Sequence, residues 1–419
     1  MQIDNRPTFK GISPYNITAG LEDNVLLNKA LFDVTGSDAP WVIMANNKQE
    51  RRERLNRAAL SFGLIFVSPL LILPFINRFA MRNVAKLTPE FFSKQYNAIK
   101  LSNEYLSNQK ATEKGLADLA KELNIDFTPI INGTGKDFEK LRTQLIKAKN
   151  VVLATDFLLV AGTFGHIGFF NNWQTKKKTG QKGYSAEMEM ADKSVVEKRA
   201  AKYEKTGKLR YGVFLTTLAG LAVGLPLAIK HGLTTTKTGK LNNFIKKHAH
   251  KFDYTKAIYM KRWPLALSLA AAHVGVCLAS RNQTELKDNS IRSSASYAIF
   301  FGGDILLASV LGQLSDKIFK TKIIKHNKED KSILNKILPS PTSLKELENG
   351  NCLKTKRMAT GIFWLNFVFL SALMGFAVPH LINKIIKKDV SKDIDKNPTT
   401  KNVENIQAQS GAFKQFQAN

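Results

Sequence analysis

Six apolar stretches, each close to the length of a membrane-crossing helix, constrain this chain more than any other feature. They cover residues 58–76, 151–170, 211–229, 263–280, 293–314 and 361–382. A helix rises about 1.5 Å per residue, so roughly 20 residues cross a hydrocarbon layer of about 30 Å. One such stretch fits a buried core helix. Six in 419 residues, each flanked by Lys or Arg, exceed what a soluble fold buries. The expected fold class is all-α: a polytopic membrane protein, a bundle of about six transmembrane helices with basic helical extramembrane loops.

The mean hydropathy is only −0.18 because polar loops dilute the apolar stretches. The net charge is +28, carried mainly by lysine. Clustered cations serve either nucleic acid, through counterion release, or anionic headgroups, at about 1 kcal/mol per residue near the surface. Here they lie in every loop beside an apolar stretch, and no zinc-finger spacing or RNA-binding aromatic signature accompanies them. The expected partner is therefore anionic membrane lipid, with a protein partner at the loops as a further option, and not nucleic acid. Cys277 and Cys352 are too few for a disulfide framework. The first 57 residues lack the apolar core of a signal peptide, so the first stretch is expected to direct insertion. Six spans would return both termini to one side. Arg51, Arg52, Arg54 and Arg57 favour the cytoplasmic side for the N-terminus, although basic residues flank both ends of the spans.

Residues 1–57 read as a soluble arm with turns at Gly36-Ser37-Asp38-Ala39-Pro40, and Trp41 suits the interface or a short packed helix. Residues 77–150 form a helical extramembrane region. Thr88-Pro89-Glu90 starts one helix with periodic Phe92, Tyr96 and Ile99, and a turn follows at Gly133-Thr134-Gly135 before a second helix from about Asp137. Residues 151–229 hold two spans and a charged loop, and 230–262 a basic amphipathic loop. Residues 263–314 form a two-span hairpin, 315–360 a second basic loop, 361–382 the last span and 383–419 a disordered polar tail. Lys246, Lys247 and Lys251 among Leu241, Phe244 and Phe252, and Lys317, Lys320 and Lys322 among Ile318 and Phe319, are the expected lipid-binding cations.

Two segments resemble each other: Lys205–Phe214 leads into the third span and Lys354–Phe363 into the sixth. Asp156-Phe-Leu-Leu and Asp304-Ile-Leu-Leu stand at nearly the same separation. Three spans per half would make the halves antiparallel, the inverted repeat of many transporters. Asp156 and Asp304 are the main candidate site residues, because a carboxylate at mid-membrane costs about 2.5–3.5 kcal/mol and faces an interior or a cavity. Thr163, His166, His273, Tyr297 and Asn366 add intramembrane polarity. Gly220 with Gly224, and Ser371 with Gly375, have helix-packing spacing.

Phe301-Gly302-Gly303-Asp304-Ile305-Leu306-Leu307 resembles the Gly-x-Gly-Asp segment of intramembrane aspartyl proteases. The resemblance implies a water activated between Asp304 and Asp156. Phe301 replaces that motif's first Gly, no Tyr precedes Asp156, and Val378-Pro379-His380-Leu381 replaces the family's Pro-Ala-Leu. No phosphate loop, dinucleotide fingerprint, nucleophile elbow or metal-ligand spacing is present, so no cofactor or metal is expected. Three functions follow as expectations. The first is a non-enzymatic anchor, scaffold or assembly protein. The second is an ion- or solute-translocating protein using Asp156 and Asp304, and the third an aspartyl protease-like enzyme.

Overall fold

The computed structural model describes residues 13–87, 101–123, 135–255, 259–324, 339, 341–347 and 353–396. The helix start at Thr88-Pro89-Glu90, the positions Phe92, Tyr96 and Ile99, the turn at Gly133 and Thr134, Cys352 and the tail beyond residue 396 lie outside them. The described chain is all-α apart from one short antiparallel pair, Tyr254–Thr255 with Tyr259–Met260.

Four helices are long and apolar enough to cross a membrane: Phe138–Thr179, Gly207–Thr234, Gln283–Phe319 and Leu353–Lys392. They carry the second, third, fifth and sixth apolar stretches. The first and fourth stretches fall on shorter apolar helices, Leu71–Ala80 and Arg262–Leu278, so by this measure six expected crossings become four. In three of the four long helices only 22% to 28% of the apolar core is buried within the protein. Phe75, Val223, Leu227, Val368 and Phe376 stand 58% to 75% exposed. So much uncovered apolar surface suits a hydrocarbon solvent and marks a multi-pass membrane protein.

In chain order the helices begin with α1 (Pro14–Asp23), α2 (Val25–Phe32), α3 (Ala39–Ile43), α4 (Lys48–Ser61), α5 (Ser68–Ala80) and α6 (Arg82–Leu87). Next come α7 (Gln109–Leu123), α8 (Gly135–Phe157), α9 (Thr163–Thr179), α10 (Lys193–Lys205), α11 (Gly207–Thr234) and α12 (Lys240–Ala249). The series ends with α13 (Arg262–Leu278), α14 (Gln283–Ala298), α15 (Asp304–Phe319), α16 (Leu344–Leu347), α17 (Leu353–Ala372) and α18 (Val378–Lys396). Five π-helical runs, Asp33–Asp38, Phe62–Val67, Leu158–Gly162, Ile299–Gly303 and Leu373–Ala377, join successive helices into longer rods. Residues 25–43 are thus one rod rather than a soluble arm with turns. Phe32 and Trp41 are each 2% exposed, because the rod lies inside the bundle.

Six rods close a ring: α2–α3, α4–α5, α8–α9, α13, α14–α15 and α17–α18, each packed on the next and the last on the first. α11 packs outside, against α8 and α13. α4 and α14 begin at the same end, since Asn47 donates to the Ser185 carbonyl and Asn282 to Glu187 of one short segment. α9 and α18 finish there, where Gln49 donates to Thr175 and Lys287 to Asp389. The opposite end holds α1, whose Glu22 accepts from Leu344 N at 2.6 Å. The first described helix and Asp389 therefore lie at opposite ends of the ring; residues 1–12 and 397–419, which carry the termini, lie outside the described residues.

The ring holds a recurrence. Asn47, Glu50, Glu53, Arg57 and Ser61 match Asn282, Glu285, Asp288, Arg292 and Ser296 at one constant separation. Each Asn side chain accepts from the N–H three residues on at 2.8 Å, and each Glu accepts from the N–H preceding the Asn at 2.6 Å. Reciprocal caps of this kind satisfy otherwise orphaned helix donors. In both places a helix precedes the cap, a π run follows the capped helix, and a second π-containing rod packs antiparallel to the first. The recurrence sets residues 47–61 and 282–296 in parallel, and the rods that pack on them, α8–α9 and α17–α18, also run in parallel. It is distinct from the expected inverted pairing of Lys205–Phe214 with Lys354–Phe363, which rests on other residues.

Glycines close the ring. A Cβ on Gly275 of α13 would meet Gly165 Cα of α9 at 2.8 Å. One on Gly375 would meet Pro40 Cγ at 2.8 Å and Gly36 O at 3.1 Å. Gly220 and Gly224 of α11 face open space. Gly275→Leu or Gly375→Leu should lower stability by about 1–3 kcal/mol through overpacking. Gly220→Leu should stay within about 0.5 kcal/mol. Thermal unfolding in detergent micelles measures both.

Candidate functional site

At the capped end, carboxylates and guanidinium groups come together out of water. Arg281 donates to both Glu53 oxygens at 2.9 Å and to Glu285 at 2.8 Å, and Ser185 donates to Glu53 at 2.6 Å. Thr175 completes the Glu53 shell. Burial pushes the Glu53 carboxyl up, but the Arg281 charge and the hydrogen bonds from Arg281, Ser185 and Thr175 outweigh it and hold it below the ordinary range. The Arg281 guanidinium is loaded downward by burial and upward by Glu285 and Glu53, and ends well above its usual value. Tyr184 donates to Asp288, which also accepts from Arg292 at 3.0 and 3.1 Å. Residues 184–187 thus stopper the ring, held by both capped helices.

Two small cavities of about 50 Å³ each lie beneath this stopper. Each has room for a few waters. Arg54, Arg57 and Arg292 line both. The upper one is also lined by Glu50, Glu53, Glu285 and Asp288. The lower one adds Lys29, Asp33, Asp38, His273, Ser61 and Ser296. Arg57 with Arg292, Ser61 with Ser296, and Asp38 with His273 are recurrence partners, so the lower cavity sits where the two units face each other. Lys29 pairs with Asp33 and Arg54 with Glu50. Trp41 lies under Arg292, whose guanidinium carbon is 3.8 Å from the ring centroid. Among the described residues Arg57 donates to Asn289 at 3.4 Å and lies over the Phe164 ring, and neither Arg57 nor Asp38 enters a salt bridge. Arg54 Nε and Ser293 Oγ are buried without partners.

The residues singled out from sequence are placed as follows. Asp156 is 2% exposed, beside Tyr254. Asp304 accepts from Asn366 at 2.8 Å and faces Arg262 at 3.4 Å. The two aspartates share no partner. Thr163 bonds back to Leu159 O within its own helix, and His166 meets the Tyr211 hydroxyl at 2.9 Å, towards α11. His273 lines the lower cavity and packs edge-on to Phe164, while Tyr297 stacks near Phe301. Ser371 and Gly375 lie against Gly36 and Pro40. Lys247, Lys317, Lys320 and Lys322 are exposed; Lys246 and Lys251 are half-buried, Lys251 over the Trp263 ring. Among the described residues no group of three His, Cys, Asp or Glu is placed to hold a metal ion.

Glu53, Asp288, Arg292 and Arg281 were not anticipated, Asp38 was expected in a turn, and Arg54 and Arg57 entered only as charges favouring a cytoplasmic N-terminus. All lie at the margins of apolar stretches or outside them. The signal that finds them is the recurring Asn-x-x-Glu-x-x-acid-x-x-x-Arg spacing. No protein-family model matches the chain. No curated protein and no solved structure matches it either.

Removing Glu53 leaves Arg281 short of one of its two carboxylates, so Glu53→Ala should cost about 3 kcal/mol. A carboxylate held below its ordinary pKa of 4.5 stabilises the fold fully above that value and loses its contribution as pH falls through the lowered one. Unfolding followed in micelles should show stability dropping below about pH 4.5, with a shallower drop in Glu53→Gln.

Proposed function

We propose that the chain is a translocating protein, and that a small inorganic anion passes through the interior of the six-rod ring. The rods carrying the first and fourth apolar stretches then cross the membrane with the others. One observation carries this reading. The lower cavity is lined by four cations, Lys29, Arg54, Arg57 and Arg292, against two carboxylates, Asp33 and Asp38. Such polarity is costly at membrane depth unless a path or site uses it. Sites where two repeats meet are the usual binding sites of duplicated transporters. Arg57, without a carboxylate partner, is the group that meets the ion; Ser61, Ser293 and Ser296 offer hydroxyl donors around it.

Purified protein in sealed vesicles should release trapped chloride or nitrate faster than empty vesicles, and Arg57→Gln should slow release about tenfold or more. That factor corresponds to about 1.4 kcal/mol of barrier. Equal rates with and without protein, for both anions and for potassium, would sink the reading.

A second reading, a lipid-contacting anchor, draws on α12. Leu241 and Phe244 are 70% and 62% exposed beside Lys246 and Lys247. A synthetic 240–252 peptide should bind acidic vesicles and leave as salt rises, because the Debye length contracts to about 3 Å at 1 M. The aspartyl protease reading lacks comparable support, since two acids must reach one water and Asp156 and Asp304 have separate partners.

A further inference from the structure

A further cationic concavity lies away from the ring interior. It is a groove of about 1010 Å³ between α5–α6 and α8. Arg78, Arg82 and Lys86 follow one another at four-residue spacing along α5–α6 and form a stripe on one helical face. Lys147 faces them from α8, with Gln144 and Val151 on the same face. No Asp or Glu appears among the described lining residues, and none of the four cations enters a salt bridge with a described carboxylate. Four like charges gathered around open space repel one another unless an anion sits among them. All four are exposed, so their charge is there for a ligand rather than spent on the fold.

The walls indicate which anion. Phe75 and Phe79 are 75% and 63% exposed, and Val151 is 43% exposed. They lie at the start of the lipid-facing surface, where the first apolar stretch ends and the second begins. Arg82 stacks on Phe79 with its guanidinium 5.6 Å from the ring centroid. From Arg78 to Lys86 the helical rise is about 12 Å, the scale of a headgroup rather than of a lone ion. We infer that this groove holds the phosphate headgroup of an anionic phospholipid, with its acyl chains lying over Phe75, Phe79 and Val151. A free phosphate would use the cations and leave the aromatic wall idle. A nucleic acid would need the groove clear of the membrane surface. Basic pockets between membrane helices commonly take such headgroups. The site is separate from the α12 lysines and does not depend on the translocation reading.

The test uses full-length protein in neutral detergent, with phosphatidylglycerol or phosphatidylcholine added at equal molar ratio. Lipid carried through native mass spectrometry is the readout. The wild type should retain phosphatidylglycerol about tenfold more than phosphatidylcholine. Arg78→Gln with Arg82→Gln should cut that preference at least fivefold, and adding Lys86→Gln and Lys147→Gln should abolish it. Lys193→Gln with Lys198→Gln, two exposed cations of α10 outside the groove, should leave it unchanged. Melting of each variant without lipid confirms that the surface changes leave the fold intact; Arg82→Glu alone gives a second route if the multiple variants unfold. Equal retention of the two lipids overturns the inference. So does unchanged preference in the fourfold variant. Full displacement by millimolar glycerol phosphate would assign the groove to a free phosphate, and displacement by a short RNA duplex at physiological salt would assign it to nucleic acid. Either result overturns the lipid assignment.

Discussion

The ion pair between Glu53 and Arg281 holds the two halves of this molecule to one another. It joins the first turns of α4 to the cap of α14 and recruits Thr175 from α9 and Ser185 from the crossing segment. Buried pairs often contribute little net stability, because desolvation offsets attraction. Their value lies in direction. Only one arrangement of the rods gives Arg281 both Glu53 and Glu285, and only that arrangement lets Asn47 and Asn282 reach the same segment. Other rotations of the rods would strand a charge away from water.

Outside this knot the ring follows membrane logic. Hydrocarbon provides no partner for a bare peptide group, so the rods satisfy their backbone internally. Their apolar faces turn outward and the polar faces inward. The π-helical runs interrupt this regularity in five rods, and such runs occur often where a helix must re-aim a side chain for use. In α2–α3 the run brings Asp38 and Trp41 towards the interior, where the sequence suggested turns. Close approach of the rods at Gly165, Gly275 and Gly375 supplies dispersion contact where no hydrophobic drive operates between helices.

Helix content and membrane character were legible from apolar length alone, because a run of some 20 apolar residues has few other uses. The interior was not. Inside the apolar stretches the polar residues that stand out are Asp156, His273 and Asp304. The charges that meet at the ring's centre sit at the stretches' edges, where arginines read equally well as headgroup contacts. Arg54 and Arg57 show the ambiguity: only the opposing Glu50 and the recurrence partner Arg292 decide their direction. Residues 25–43 were missed as a rod because Gly36, Asp38 and Pro40 are ordinary turn formers. Here Pro40 sits at the start of a helical segment that tolerates it, and Gly36 gives Ser371 the room it needs. The lipid groove draws its cations from two segments some sixty residues apart, so no single window displays it.

Matching positions in the two units leave a final consequence at the centre of the ring. A site shared by two identical subunits must present the same side chain twice. Carried on one chain, the units are free to differ, and Asp38 faces the lower cavity where its counterpart is His273. With both Asp38 and His273 in its wall, the cavity gives an occupant two unlike side chains to meet. A homodimer of one half cannot present that asymmetry, whereas a single polypeptide fixes it in every copy.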